Sequence, residues 1–182
     1  MVEANPALSR LKTRARLLHQ RARARDLGAL ARLSRHPLLR GPEGPRAQDI
    51  QRKHCLDVIA REFGFRGWQH TTRVLGGDLE ERDVGTLLCP PACAGFTNTW
   101  FARHEDARAH LRDGYLLGYR THAFIVSAAY IEAMGLDPVH EDWDALARDW
   151  LRPPAPAARA RLYARLIALR PPEGAPIACA CA

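Results

Sequence analysis

The chain has 182 residues, 47% of them hydrophobic, and a formal net charge of +7. It is long enough to bury a core of its own as one ordinary domain or two small ones, and no run approaches the roughly 18–20 apolar residues that a membrane-crossing helix needs. The beginning, MVEANPALSR, lacks the apolar segment that follows the basic start of a signal peptide, so a cytoplasmic protein without membrane association is expected.

The charge is unevenly placed. Residues 1–78 carry 16 Lys+Arg against 7 Asp+Glu, whereas residues 79–182 carry 11 against 13. A basic N-terminal half suits nucleic acid, an acidic protein or an anionic surface as a partner. Composition offers a simpler account: only Lys12 and Lys53 are lysines, and heavy use of Arg, Ala and Pro is what a GC-rich bacterial genome produces. Five cysteines, an odd number without a secretory leader, predict reduced thiols rather than a disulfide framework.

Residues 7–25 predict an amphipathic helix. At 100° per residue Leu8, Leu11, Ala15, Leu18 and Ala22 fall within one arc of about 80°, with every basic residue outside it. Arg10, Arg14, Arg21 and Arg25 form one ridge beside this stripe, a candidate nucleic-acid-binding face; a solvated helix keeping its cations in water gives the same pattern. Asp26 suits the N-cap of a short helix ending at Leu33, with Leu27, Leu30, Ala31 and Leu33 on its apolar side. After the loop GPEGP at 41–45, a third helix is predicted from about Ala47. It ends at Gly64 in a left-handed cap, with Phe65 and Trp68 folding back on it. A short fourth helix over 68–75 closes at Gly76-Gly77.

The order of these elements over residues 8–76, with "LK" near the start of a basic helix, the short "LGALARL" helix, and a last helix ending "VIAREFGFRGW", resembles the small helical module called the glyoxalase-related domain, which also occurs beside ankyrin repeats. The resemblance implies a packing module and carries over no catalytic or metal-binding residue. The paired βαβββ units of a glyoxalase fold itself are missing from the pattern, so lyase activity is not implied.

Residues 77–83 are polar and charged and mark the expected boundary between a basic helical module (1–78) and a small α+β domain (79–170), with 171–182 as a flexible tail. In the second part, residues 84–88 and 96–101 read as strands, 104–113 as a helix capped by Gly114, and 115–127 as a hairpin turning near Arg120 to His122. Helices are predicted over 128–134, 141–151 and 157–169, with Trp143 and Trp150 as core anchors. The fold class expected is an α-rich α+β protein: an N-terminal helical module followed by a small antiparallel sheet packed with helices.

Three constellations carry possible chemistry. Cys89, Cys93, His104 and His110 have a C-x3-C-x10-H-x5-H spacing close to that of zinc ligands, making zinc the one cofactor the sequence suggests. Against it, the two histidines lie about 120° apart in rotation if they share one helix. Arg103, Tyr119, Arg120 and His122 gather near the predicted hairpin turn as a candidate anion-binding group. Cys179 and Cys181 near the C-terminus form a dithiol that suits a soft ion or a redox partner. No nucleophile elbow, carboxylate dyad or phosphate loop is present in the sequence, so no catalytic residue is assigned and an enzyme is not expected. The reading is a bacterial interaction or accessory module with a protein partner; the alternatives are nucleic-acid binding through the Arg-rich helix and a zinc protein or metalloenzyme using the Cys/His segment.

Overall fold

A computed structural model describes residues 5–40, 44–78 and 80–170. Within them lie eight α-helices and one three-stranded antiparallel sheet, the α-rich α+β class that the patterning predicts.

Helix α1 (Pro6–Arg23) starts where Asn5 Oδ1 accepts the backbone N–H groups of Ala7 and Leu8 at 3.0 and 3.2 Å, with Pro6 in the first turn. Ala7, Leu11, Ala15, Leu18 and Ala22 make the buried stripe, and Leu8 lies at its margin. Arg25 then turns left-handed, which sets Asp26 as the cap of α2 (Leu27–Leu33), its carboxylate accepting Ala29 N–H at 2.7 Å. In α2 the buried residues are Ala29 and Leu33, whereas Leu27 is 83% exposed. Leu27 and Ala31 each stand two residues from Ala29, about 160° round the helix, so one face cannot hold all three.

Helix α3 (Arg52–Glu62) begins later than expected, because residues 47–49 form a turn and Gln51 precedes the first helical residue with its N–H donated to His54 Nδ1. Its end follows the sequence reading. Gly64 is left-handed (φ 82°), Phe65 N–H reaches back to Ala60 O at 3.0 Å, and Phe65 is buried against the core. Asp57 Oδ1 accepts Trp68 N–H at 2.7 Å and so fixes the start of α4 (Trp68–Gly76).

Residues 84–88, expected as a strand, are instead a loop. Thr86 N–H bonds to Gly64 O, and Val84 N–H and Gly85 O bond to the backbone of Arg120, so these groups serve two different neighbours and no ladder forms. Strand β1 (Thr99–Phe101) is shorter than the strand expected over 96–101. Helix α5 (His104–His110) ends early because Leu111 adopts extended backbone. Strands β2 (Tyr115–Tyr119) and β3 (His122–Val126) form the predicted hairpin, and the sheet order is β1-β3-β2. Helices α6 (Ala128–Ala133), α7 (Glu141–Ala145) and α8 (Pro156–Leu169) follow. The expected helix over 141–151 stops short because Ala147 and Arg148 both take positive φ, at 49° and 54°.

The register sorts the sheet into two faces. Trp100 pairs with Phe124 and Phe124 with Leu117, so these share one side with Tyr115, Tyr119, His122 and Val126. This side meets the main core, in which Trp143 and Trp150 are buried as expected. The reverse side packs Leu116 and Ala123 on Ala107 of α5. The main core runs without a break from α1 to α8: α1 lies against α3 and also against α8, and the same apolar cluster includes residues from both sides of position 78. Among the described residues no helix is long and apolar enough to cross a membrane.

A Cβ added at Gly64 would stand 2.3 Å from Thr86 Oγ1, on a backbone that L side chains rarely adopt. Gly64→Ala is therefore expected to lower stability by roughly 2–4 kcal/mol in urea denaturation, from backbone strain and overpacking together.

Candidate functional site

Of the expected Arg ridge, Arg14 alone turns into the protein. Arg14 leaves solvent: its Nη2 donates to Ile167 O and Arg170 O, each at 2.7 Å, at the C-terminus of α8, where orphan carbonyls and the negative helix end both favour a cation. Arg21 is paired with Asp26 at 3.2 Å. Arg10, Arg21 and Arg25 remain exposed, so three of the four residues of the expected face still reach solvent.

The four residues with zinc-like spacing are likewise drawn apart. Among the described residues no group of three or more His, Cys, Asp or Glu side chains is placed to hold a metal ion. Cys89 and Cys93 are buried thiols outside any disulfide, and Cys93 Sγ lies 3.7 Å from Tyr130 O. His110 Nδ1 contacts Asp106 O at 2.7 Å within its own helix. His104 turns the other way, and its Nε2 meets Asp149 Oδ2 at 2.7 Å. Cys179 and Cys181 lie outside the described residues. Cys55, in the core of the N-terminal module, has its thiol pushed up to about 11 by burial and is a packing residue.

The His104–Asp149 pair is a polar constellation that sequence reading missed. Asp149 Oδ1 accepts the N–H groups of Leu151 and Arg152, both at 3.0 Å, leaving Oδ2 for the imidazole; the side chains are 5% and 15% exposed respectively. The left-handed pair Ala147-Arg148 delivers Asp149 to this position. Arg108 Nη1 donates to Ala147 O, and Arg148 Nη1 donates to Asp113 O, both at 3.1 Å. Leu116 N–H bonds to Arg148 O and Trp150 N–H to Leu116 O, so the turn also closes the outer edge of β2. A carboxylate that orients an imidazole is half of an acid–base device. His104 makes no further hydrogen bond among the described residues, and the pair serves to lock α5 to the strained turn.

At the hairpin tip Tyr119, Arg120 and His122 stand together. Tyr119 and His122 are the last paired residues of β2 and β3, and the Arg120 guanidinium carbon lies 5.7 Å from the Tyr119 ring centroid. Arg103 makes a two-point pair with Asp106 at 2.9 and 3.0 Å, which the sequence signalled by their three-residue separation. Trp100 stands against Tyr119. This indole is 42% exposed, yet it stacks on Phe124 at 4.6 Å and meets the Tyr119 ring edge-on at 5.8 Å. The result is a rigid aromatic surface with Arg120 and His122 exposed at its margin. Beside it, no backbone pairing covers the outer edge of β1 among the described residues. The alternation of Asn98 and Trp100 with Thr97, Thr99 and Phe101 places Trp100 on a face, but only its place on the edge strand of the folded sheet leaves it in contact with solvent.

No family model, curated protein or solved structure matches the chain.

Replacing His104 by Ala leaves Asp149 Oδ2 enclosed without its donor, and a loss of about 1–3 kcal/mol in urea denaturation is expected. An unchanged midpoint would show that the pair contributes nothing to holding the turn.

Proposed function

We propose that the protein is a non-catalytic interaction or accessory module that binds a protein partner through the Trp100 surface. The observation that supports this is Trp100 itself. An indole half in water, immobilised beforehand by Phe124 and Tyr119, offers large contact area with little side-chain entropy left to lose. Trp, Tyr and Arg are also the residue types that dominate protein-binding hot spots. Arg120 and His122 at the margin suit a partner segment that is apolar at its centre and acidic beside it. The resemblance of residues 8–76 to the glyoxalase-related helical domain fits an accessory role, with that part supplying the scaffold.

The test compares partner recovery by the wild type with recovery by Trp100→Ala and Arg120→Ala. Arg120→Ala, on an exposed side chain, is expected to change stability little, and Trp100→Ala to cost about 1–3 kcal/mol through its lost stacking on Phe124 and Tyr119, whereas affinity falls by roughly 10- to 100-fold for Trp100→Ala and less for Arg120→Ala when both are compared as folded protein. Undiminished binding by both variants would refute the assignment.

Nucleic-acid binding remains a second reading because Arg10, Lys12, Arg16, Arg21 and Arg23 on α1, and Arg25 just after it, are all exposed. It requires binding to a single-stranded oligonucleotide that weakens steeply with salt, with Arg10→Ala reducing the slope by about one. No binding at low salt excludes it.

A further inference from the structure

Two arginines from opposite ends of the chain approach the same aromatic ring. The guanidinium carbon of Arg14 lies 4.9 Å from the Phe63 ring centroid, and that of Arg170 lies 6.0 Å from it. Each is held by carbonyls through one nitrogen. Arg14 Nη2 donates to Ile167 O and Arg170 O, and Arg170 Nη2 donates to Leu87 O. The other terminal nitrogen, Nη1, is buried in both residues and has no acceptor among the described residues. Such nitrogens are strong donors, and buried donors of this kind are nearly always satisfied in folded proteins.

The charges are as incompletely matched as the donors. The carboxylate that acts on Arg14 is Glu62, and Arg32 already holds Glu62 at two points, 2.9 and 2.6 Å. Among the described residues no carboxylate offsets the charge of Arg170, and the ionisable group that favours it is the Cys93 thiol. Burial accordingly pushes Arg14 below its ordinary range and Arg170 down to about 10, as expected for cations removed from water without a counter-anion. A carbonyl oxygen satisfies a donor but brings no net charge, whereas an oxyanion supplies both acceptors and charge and matches the guanidinium in shape.

We infer that Arg14 and Arg170 form a binding site for a small oxyanion, a carboxylate or a phosphate, seated beside Phe63 where α1, the end of α3 and the end of α8 meet. The site uses none of the residues of the Trp100 surface. An occupant bridging Arg14 and Arg170 ties the first helix to the last, so occupancy stabilises the folded chain by mass action.

The test is thermal unfolding of the full chain titrated with sodium phosphate and, separately, with sodium acetate, each against sodium chloride at equal ionic strength. A saturable rise in Tm that chloride does not reproduce is expected, and Arg170→Met, which retains apolar bulk, removes it. A rise with phosphate alone assigns a phosphate site, and a rise with acetate assigns a carboxylate site. No saturable rise with either anion, or the same rise in Arg170→Met, overturns the proposal and leaves internal water as the acceptor for both Nη1 atoms. Should Arg170→Met fail to fold, line broadening of the phosphorus NMR signal of inorganic phosphate and the carbon NMR signal of acetate by the wild type decides: broadening of either supports the site, and its absence for both overturns it.

Discussion

The packing of α1 against both α3 and α8 is the constraint on which the rest of the molecule depends. A single helix serves several neighbours because its buried stripe alternates small and large residues. Ala7, Ala15 and Ala22 permit close approach, while Leu11 and Leu18 fill the space between. The stripe is also narrow, so residues at its border sit at the mouth of an interface. Arg14 occupies such a border position. Its long stem passes the rim, and its head reaches the exposed carbonyls at the end of α8.

The charged segment before residue 87 performs a related task. Its composition marks it as a linker, yet its polar groups are engaged with both parts of the chain. Glu81 and Asp83 pair with Arg66, Asp83 O accepts from His70, and Thr86 bonds to the Gly64 carbonyl. On the other side Val84 and Gly85 bond to Arg120. The helix cap at Gly64 and the hairpin tip at Arg120 are thus two ends of one hydrogen-bonded bridge. The rigidity of the Trp100 surface follows in part from this bridge, because Tyr119, its edge-on neighbour, immediately precedes Arg120.

Features governed by local physics were legible in the sequence. The α1 stripe, the Asp26 cap, the Gly64 stop, the hairpin and the burial of Trp143 and Trp150 depend on periodicity, capping and turn chemistry within a few residues. The failures share a different cause. Ala147 and Arg148 take left-handed backbone without a glycine to announce it, held by carbonyl contacts to Arg108 and to β2. Leu87 and Leu88 have the apolar character of a strand and are buried as one would be, but their segment bonds to Gly64 and Arg120 instead of a neighbouring strand. In the candidate site, Tyr119, Arg120 and His122 were found because one turn unites them. Trp100 and Asp149 joined their partners only through tertiary placement.

That same non-local bonding explains why the charge of the chain is a poor guide to its surface. Arg14, Arg108, Arg148, Arg159 and Arg170 all donate to backbone carbonyls at helix ends, turns or loops. A guanidinium carries five donors in a fixed fork, so it can satisfy several carbonyls that no secondary structure serves. Lysine offers a more flexible point charge, and this chain has only two. Part of the arginine content of the chain therefore serves as internal bracing. A binding surface is better sought where an aromatic side chain is rigid and in water, or where a braced arginine retains a donor that no carbonyl meets.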